Sequence, residues 1–330
     1  MQRLYPAATK TRVNALMALV LFALPASAHA QDYPSKPIRL VVPFAPGGGV
    51  DVLARLLAAK LPEFLGQPVV VEHRPGAGGN VGADAVAKSA PDGYTILLTT
   101  SGHAASPSLY RSLPFDAAKD FAPVTQVVAS TLVLVANPSL PATSTKELIA
   151  LAKAKPGGLN YGSSGPGAPL HLAMEMLKSA AGIDIVHIPY RGDAPLTTAV
   201  IAGDVQVGIV PQATGLQHIK AGAVRALGVV TVKRSPALPD VPTIAENAVP
   251  GYDAGVWNGI FAPAGTPRDI VARLQRDVAR ALATPEVGDR IRAVGNEPVG
   301  STSEEFEARF KADLAKFAKV VKEANIPVQD

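Results

Sequence analysis

The sequence predicts an α/β protein of two lobes, and three observations carry that prediction. Apolar, β-branched runs alternate with amphipathic helical runs along almost the whole chain, the signature of mainly parallel sheets. The 330 residues exceed what one hydrophobic core usually organises. Two proline-punctuated segments, 137–141 and 236–250, interrupt the alternation and mark where the chain changes lobes.

The N-terminus reads as a secretory signal peptide over 1–30. Arg3, Lys10 and Arg12 precede an apolar stretch at 13–24, and Ala28-His29-Ala30 is a small-x-small cleavage site. Such a stretch is well short of the ~20 apolar residues that span a bilayer. The first lobe is then expected over 31–131 and again over 251–330, with 132–250 inserted as the second lobe.

Strands are expected at 38–43, 69–72, 95–99, 132–136, 185–188, 205–210, 226–230 and 256–262. Each is a short Val/Ile/Leu-rich run bounded by Gly, Pro or Asp. Helices are expected at 50–61, 81–87, 145–154, 170–180, 196–202, 267–282 and 302–324. In the first, Val52, Leu53, Leu56, Leu57 and Leu61 are expected to share one face. The last opens on Thr302-x-x-Glu305, a capping box, and carries Phe306, Phe310, Leu314, Phe317 and Val321 as a packing stripe.

Composition excludes several functions. The chain has no cysteine, so disulfides, thiolate metal sites and thiol catalysis are absent together. There are 31 Lys and Arg against 27 Asp and Glu, and three of the cations lie in the signal segment. No basic run of nucleic-acid-binding type occurs. Export without an anchor or cysteines points to the periplasm of a Gram-negative bacterium.

The first strand runs through Pro43-Phe44-Ala45-Pro46 into Gly47, Gly48 and Gly49, and a helix begins at once. Glycines there let backbone approach a bound group, and the first helical turn offers unpaired N–H groups and a positive dipole end. Phe44, Pro46 and the three glycines are therefore expected to cradle an anion. No Lys or Arg lies between Arg39 and Arg55, so capture needs no salt bridge. Asp51 sits in the first helical turn, where it either caps the helix or orients backbone and water.

Other candidates follow strand ends. Ser163-Ser164-Gly165 precedes the helix at 170 and suits an anion with hydroxyls and free N–H groups. A nucleophilic serine would want Gly-x-Ser-x-Gly, yet Pro166 fills the last position after Ser164, and no partner base is evident. Ser101 and His103 follow the third strand, as cleft residues or as ordinary turn chemistry. Arg191 either reaches a distal carboxylate or pairs with Asp193. Trp257 supplies a cleft wall or packs the hinge. His171 and Glu175 share a helix face, but no His-Glu-x-x-His accompanies them, so no metal is expected. After Gly76-x-Gly78 the third glycine of a dinucleotide fingerprint falls on Val81, so no such cofactor is expected.

Taken in order, these pieces resemble the receptors of the tripartite tricarboxylate transporter family, also called Bug receptors. The resemblance rests on Tyr33-Pro34-x-Lys36-Pro37-Ile38-Arg39, Pro43-Phe44-x-Pro46-Gly47-Gly48-x-x-Asp51, Arg74-Pro75-Gly76-Ala77-Gly78-Gly79-Asn80 and Pro91-Asp92-Gly93-Tyr94-Thr95. It continues through Ser163-Ser164-Gly165, His187-Ile188-Pro189-Tyr190-Arg191-Gly192, Leu238-Pro239-Asp240-Val241-Pro242-Thr243 and Ala262-Pro263-x-Gly265-Thr266-Pro267. It implies a type II periplasmic binding-protein fold, two α/β lobes around a ligand cleft joined by two crossover strands. It also implies a monomer that closes on a small carboxylate without cofactor or catalysis, then meets membrane transporter subunits or a sensor protein. Two departures stand out. Val210-Pro211-Gln212 lacks the acid expected in relatives that bind amino acids, which favours a diacid or aromatic acid and leaves Gln212 as a hydrogen-bonding candidate. His73 stands where relatives often carry Asn.

Overall fold

The computed structural model describes residues 1–2, 33–47, 49–190 and 192–329. The signal segment's apolar stretch and cleavage site, Gly48 and Arg191 lie outside them. Met1–Ser35 and Lys36–Asp330 are separate units, and every element named here belongs to the second. No helix among the described residues is long and apolar enough to cross a membrane.

The chain runs β1 (Ile38–Val42), α1 (Gly49–Lys60), the single turn α2 (Pro62–Leu65), β2 (Val69–His73), a 3₁₀ turn (Ala77–Gly79), α3 (Asn80–Ala87), β3 (Thr95–Thr100), α4 (Gly102–Leu109) and β4 (Phe121–Ser130). After one residue come β5 (Leu132–Ala136), α5 (Thr145–Ala154), β6 (Asn160–Ser163), α6 (Pro169–Ala181), β7 (Val186–Pro189), α7 (Asp193–Ala202), β8 (Val207–Pro211), α8 (Gln212–Lys220), β9 (Arg225–Val229) and the turn α9 (Ile244–Asn247). The chain then returns through β10 (Val256–Pro263), α10 (Arg268–Leu282), α11 (Pro285–Ala293), β11 (Asn296–Pro298) and α12 (Ser303–Glu323).

Two sheets result, in the orders β11-β4-β10-β3-β1-β2 and β7-β6-β8-β5-β9. In the first, β1 pairs in parallel with β2 and β3, and β10 lies antiparallel between β3 and β4. In the second, β6 pairs in parallel with β7 and β8, and β5 lies antiparallel between β8 and β9. Each sheet thus contains a parallel trio next to a strand running the other way. Parallel trios place all their carboxyl-end loops on one edge, where ligands of open α/β sheets bind.

The strands are apolar on both faces because helices cover both: Leu40, Val41 and Val42 in β1 are fully buried, as is every residue from Val133 to Ala136 in β5. The second sheet's core also takes in Tyr252 and Ala254, and the Tyr252 hydroxyl donates to the Ala173 carbonyl of α6 at 2.7 Å. The first sheet carries an aromatic cluster of Phe115, Phe121, Trp257, Phe261, Phe306, Phe310 and Phe317. Thr302 and Glu305 make the expected capping box at the start of α12, whose stripe supplies three of those rings. Close docking is possible because β10 has Gly259 opposite Phe306; a Cβ there would come 2.1 Å from the ring.

β4, β6, β11, α4, α8 and α11 go beyond the elements expected from periodicity. β6 is only Asn160–Ser163 and contains Gly162, and α4 carries Pro107 inside it, so neither shows a clean period.

Candidate functional site

The loops after β1, β2, β3 and β6 meet around a cavity of about 410 Å³. Phe44 comes from the first loop, Gly78 from the second, Thr100 and Gly102 from the third, and Ser164 to Pro169 from the second sheet. Ser106, Leu109 and Tyr110 of α4 and its exit form one wall, and Gln329 completes it. Three hollows are larger: two of about 540 Å³, between α6 and α12 and between α1 and α11, and one of about 480 Å³ between α4 and the end of α12. None gathers strand-end loops from both sheets, so the smaller cavity is the candidate ligand site.

Three of the residues singled out from sequence line it: Phe44, Ser164 and Gly165. The helices α4 and α6 both begin at it, through Gly102 and through Ala168 and Pro169, so two positive dipole ends converge there. Among the described lining residues none is charged.

The glycine loop is built differently from the expectation. The Gly47 N–H does not wait for a ligand; it donates to Asp51 Oδ2 at 2.8 Å. Asp51 is 4 % exposed and also meets Arg55 Nε at 2.9 Å and His73 Nε2 at 2.8 Å. The Gly47 bond, with Arg55 and His73 behind it, lowers the Asp51 pKa to about 2 against the opposing effect of burial. Asp51 therefore orients backbone, and His73 at the end of β2 is its partner. Pro46 and Gly49 are exposed, and Gly49 borders the groove between α1 and α11, away from the cavity. On this side Phe44 lines the ligand space, while the Gly47 N–H is held by Asp51.

On the opposing loop, Ser163 is fully buried. Its Oγ lies 2.6 Å from His187 Nε2 and accepts the Gly165 N–H at 3.1 Å. The Gly167 N–H donates to His171 Nδ1 at 2.9 Å. The anticipated free N–H groups of Gly165 and Gly167 are thus spent on shaping the loop. His171 and His187 stack at 4.2 Å, with Tyr161 against His187 at 4.8 Å. The Tyr161 hydroxyl donates to Glu175, which also pairs with Lys178 at 2.7 Å. Burial lowers the His171 pKa to about 3 and lowers that of His187 too, so both rings are neutral acceptors or donors. His187 is a base beside Ser163 that the sequence did not reveal, yet the hydroxyl it holds is sealed inside the loop. The His171–Glu175 pair is likewise committed to these partners.

Four further candidates are buried and lie outside the cavity lining. His103 faces inward: its ring packs at 4.7 Å against Phe121 and 5.3 Å against Phe261, Nε2 has no partner, and burial pushes its pKa down to about 3. Trp257 is 1 % exposed, with Nε1 donating to Asp313 at 2.7 Å inside the aromatic cluster. Ser101 is buried beneath α4, its N–H donating to the Trp257 carbonyl. Gln212 lies at the crossing between sheets, where its N–H donates to the Thr131 carbonyl at 2.9 Å and its buried Oε1 lacks a partner. Arg191 lies outside the described residues.

Residues 53–326 match the family model of the tripartite tricarboxylate transporter family receptor. The chain belongs to that family. The receptor is 39 % identical to protein BugT of Bordetella pertussis over 95 % of this chain and 97 % of that one. Among solved structures it resembles Rpa4515 of R. palustris with adipate, at 39 % identity, TM-score 0.79, and coverage of 90 % of this chain and 100 % of that chain. It also resembles MatC of Rhodopseudomonas palustris with bound malate, at 31 % identity, TM-score 0.75, and coverage of 88 % and 100 %. Its two-sheet architecture is thus the periplasmic binding-protein fold.

Sequence reasoning missed much of the receptor's cavity. Gly76, Ala77, Gly78 and Gly79 all have positive φ, from 45° to 141°, which folds the loop tightly enough for Gly78 to reach the cavity beside the Tyr110 hydroxyl. The run Gly-Ala-Gly-Gly after a strand is the same signal as Gly47–Gly49. Thr100, Ser106 and Tyr110 sit on and beside the unanticipated helix α4. Asp193, the first residue of α7, lies beside Ser164, whose side chain favours the carboxylate, while burial has the larger effect and raises its pKa. Gln329 gives no signal in sequence.

Proposed function

We propose that the receptor works in the periplasm, where its two lobes close on a small organic carboxylate and present it to a tripartite tricarboxylate-type transporter. The lobes are read as 31–131 with 251–330, and 132–250, and the cavity as the cleft between them. The observation that carries this reading is the cavity's lining: neutral hydroxyl side chains on Thr100, Ser106, Tyr110 and Ser164, two helix N-termini, and no charged side chain among the described residues. Such a site stabilises a carboxylate by dipoles and hydroxyls, which permits reversible capture. Adipate and malate in two related structures support the ligand class. Phe44 and Leu109 give the cavity an apolar side suited to a methylene chain or a ring. No catalytic step is assigned, since the serine with a neighbouring base is buried.

Asp193 supports a second reading. An acid beside the cavity residue Ser164 is what a ligand ammonium would use. Thermal-shift titration with malate beside aspartate, and with adipate beside 2-aminoadipate, separates the two. Stabilisation by the amine-free acid of each pair is expected. Stabilisation only by the amino acids favours the second reading, and no shift with any carboxylate overturns both. Native mass spectrometry of protein purified without denaturation then identifies the ligand.

A further inference from the structure

Gln329 follows α12 on a short strap whose backbone is fixed to the first lobe. Its N–H donates to the Leu109 carbonyl at 2.7 Å, and its carbonyl accepts the Arg111 N–H at 3.0 Å. Ile326, three residues earlier, is buried in the aromatic cluster that also contains Leu109. The side chain reaches the other way: Gln329 Nε2 donates to the Pro166 carbonyl at 3.3 Å, on the loop after β6. The next residue of that loop, Gly167, has φ +73° and stands so close to Leu109 that a Cβ would lie 2.9 Å from Leu109 Cδ1. Strap, α4 and loop thus meet at one point on the cavity wall, from opposite sides.

We propose that Gln329 is a latch between the lobes, a positioning residue that sets how long a bound ligand is held. The inference rests on the receptor reading given above. A hydrogen bond at 3.3 Å is already near the limit of bonding, so a hinge movement of about 1 Å that widens the cavity breaks it. The bond therefore stabilises the closed arrangement and not the open one, and its effect falls on release rather than on encounter. The strap is held by its own backbone bonds, so the side chain is pre-aimed and little ordering is lost when it engages. A neutral amide does this without placing a charge in a cavity that accepts an anion.

Gln329→Met keeps the size of the side chain and removes its hydrogen bonding. In the ligand-free protein, hydrogen–deuterium exchange over residues 163–172 is expected to quicken several-fold, with the melting temperature nearly unchanged. With adipate and malate as probes, stopped-flow release is expected to be about 3- to 10-fold faster, the range for one lost hydrogen bond, and association unchanged within about twofold. Unchanged exchange, or unchanged release from a protein that binds either acid, overturns the latch. If exchange quickens but neither acid binds the unsubstituted protein, the latch between lobes stands and the carboxylate reading fails. Gln329→Ser, which leaves the strap's backbone intact, serves the same measurements if the Met variant does not fold.

Discussion

Asp51 Oδ2 accepts the Gly47 N–H at 2.8 Å, so the acid in the first turn of α1 holds the loop that leads into that helix. With the same carboxylate bonded to His73, it also ties the loop to the end of β2. Asp51→Asn keeps the shape but loses the charge that Arg55 and His73 answer. We expect a melting temperature lower by a few degrees, measured by calorimetry. Because the folded pKa is depressed to about 2, this contribution is present above the unfolded value of 3.8 and is lost as pH falls from there towards 2. The difference between the two proteins should therefore shrink in that window; a constant difference would show the carboxylate's charge to be unimportant.

The Ser163–His187 contact joins β6 to β7 behind the cavity loop. His187→Phe preserves the stack with His171 and Tyr161 and leaves the buried Ser163 hydroxyl without that partner. Urea unfolding should show a loss of about 0.5–1.5 kcal/mol, the net worth of one hydrogen bond, since the hydroxyl keeps its contacts with Gly165. Adding Ser163→Ala to that variant should cost less than it does in the parent, because the bond between the two side chains is already gone. If the double variant is as unstable as the sum of the singles, the two side chains do not act as a pair.

His103 makes stability fall with acid. Its folded pKa of about 3 lies below the unfolded value of 6.5, so the neutral ring's contribution is complete above pH 6.5 and declines as pH falls towards 3. Between pH 6.5 and 5 the unfolded chain takes up a proton that the folded one refuses, at a cost approaching about 2 kcal/mol. His103→Phe, set among Phe115, Phe121, Phe261 and Phe310, should flatten that slope while leaving stability near pH 7.5 within about 1 kcal/mol. An unchanged slope would assign the acid sensitivity elsewhere, His171 being the next group to test.

Gly167→Val places a β-branched side chain at φ +73° and against Leu109. The strained backbone and the contact together disfavour the loop's position. We expect thermal shifts with adipate or malate to be abolished, while the far-ultraviolet circular dichroism stays that of the parent. Undiminished shifts would mean that the loop does not have to approach α4 for binding.

The architecture was legible in the sequence where burial repeats over a long run. β5 is apolar through its length, β1 and β10 are mostly so, and the stripe of α12 announces its own packing. The site was legible only in part. Phe44, Ser164 and Gly165 were found because loops after strands in an α/β sheet share one edge. His103 and Trp257 lie in the core rather than on the cavity because one residue's step along a strand or helix turns a side chain from one to the other, and composition does not register that step. Gly47, Gly165 and Gly167 illustrate a second limit. An N–H that looks available in sequence is claimed by Asp51, Ser163 or His171, and only the fold shows which acceptors come near.

The antiparallel strand β10 sits in the middle of the first sheet, between β3 and β4, although more than a hundred residues of chain separate it from β4. A growing polypeptide therefore carries β3 and β4 with open edges until Val256–Pro263 has been made. The second sheet, built wholly from β5 to β9, has every strand it needs before then. The half of the molecule that begins first is thus finished last, which makes folding slow and leaves sticky strand edges exposed in the meantime.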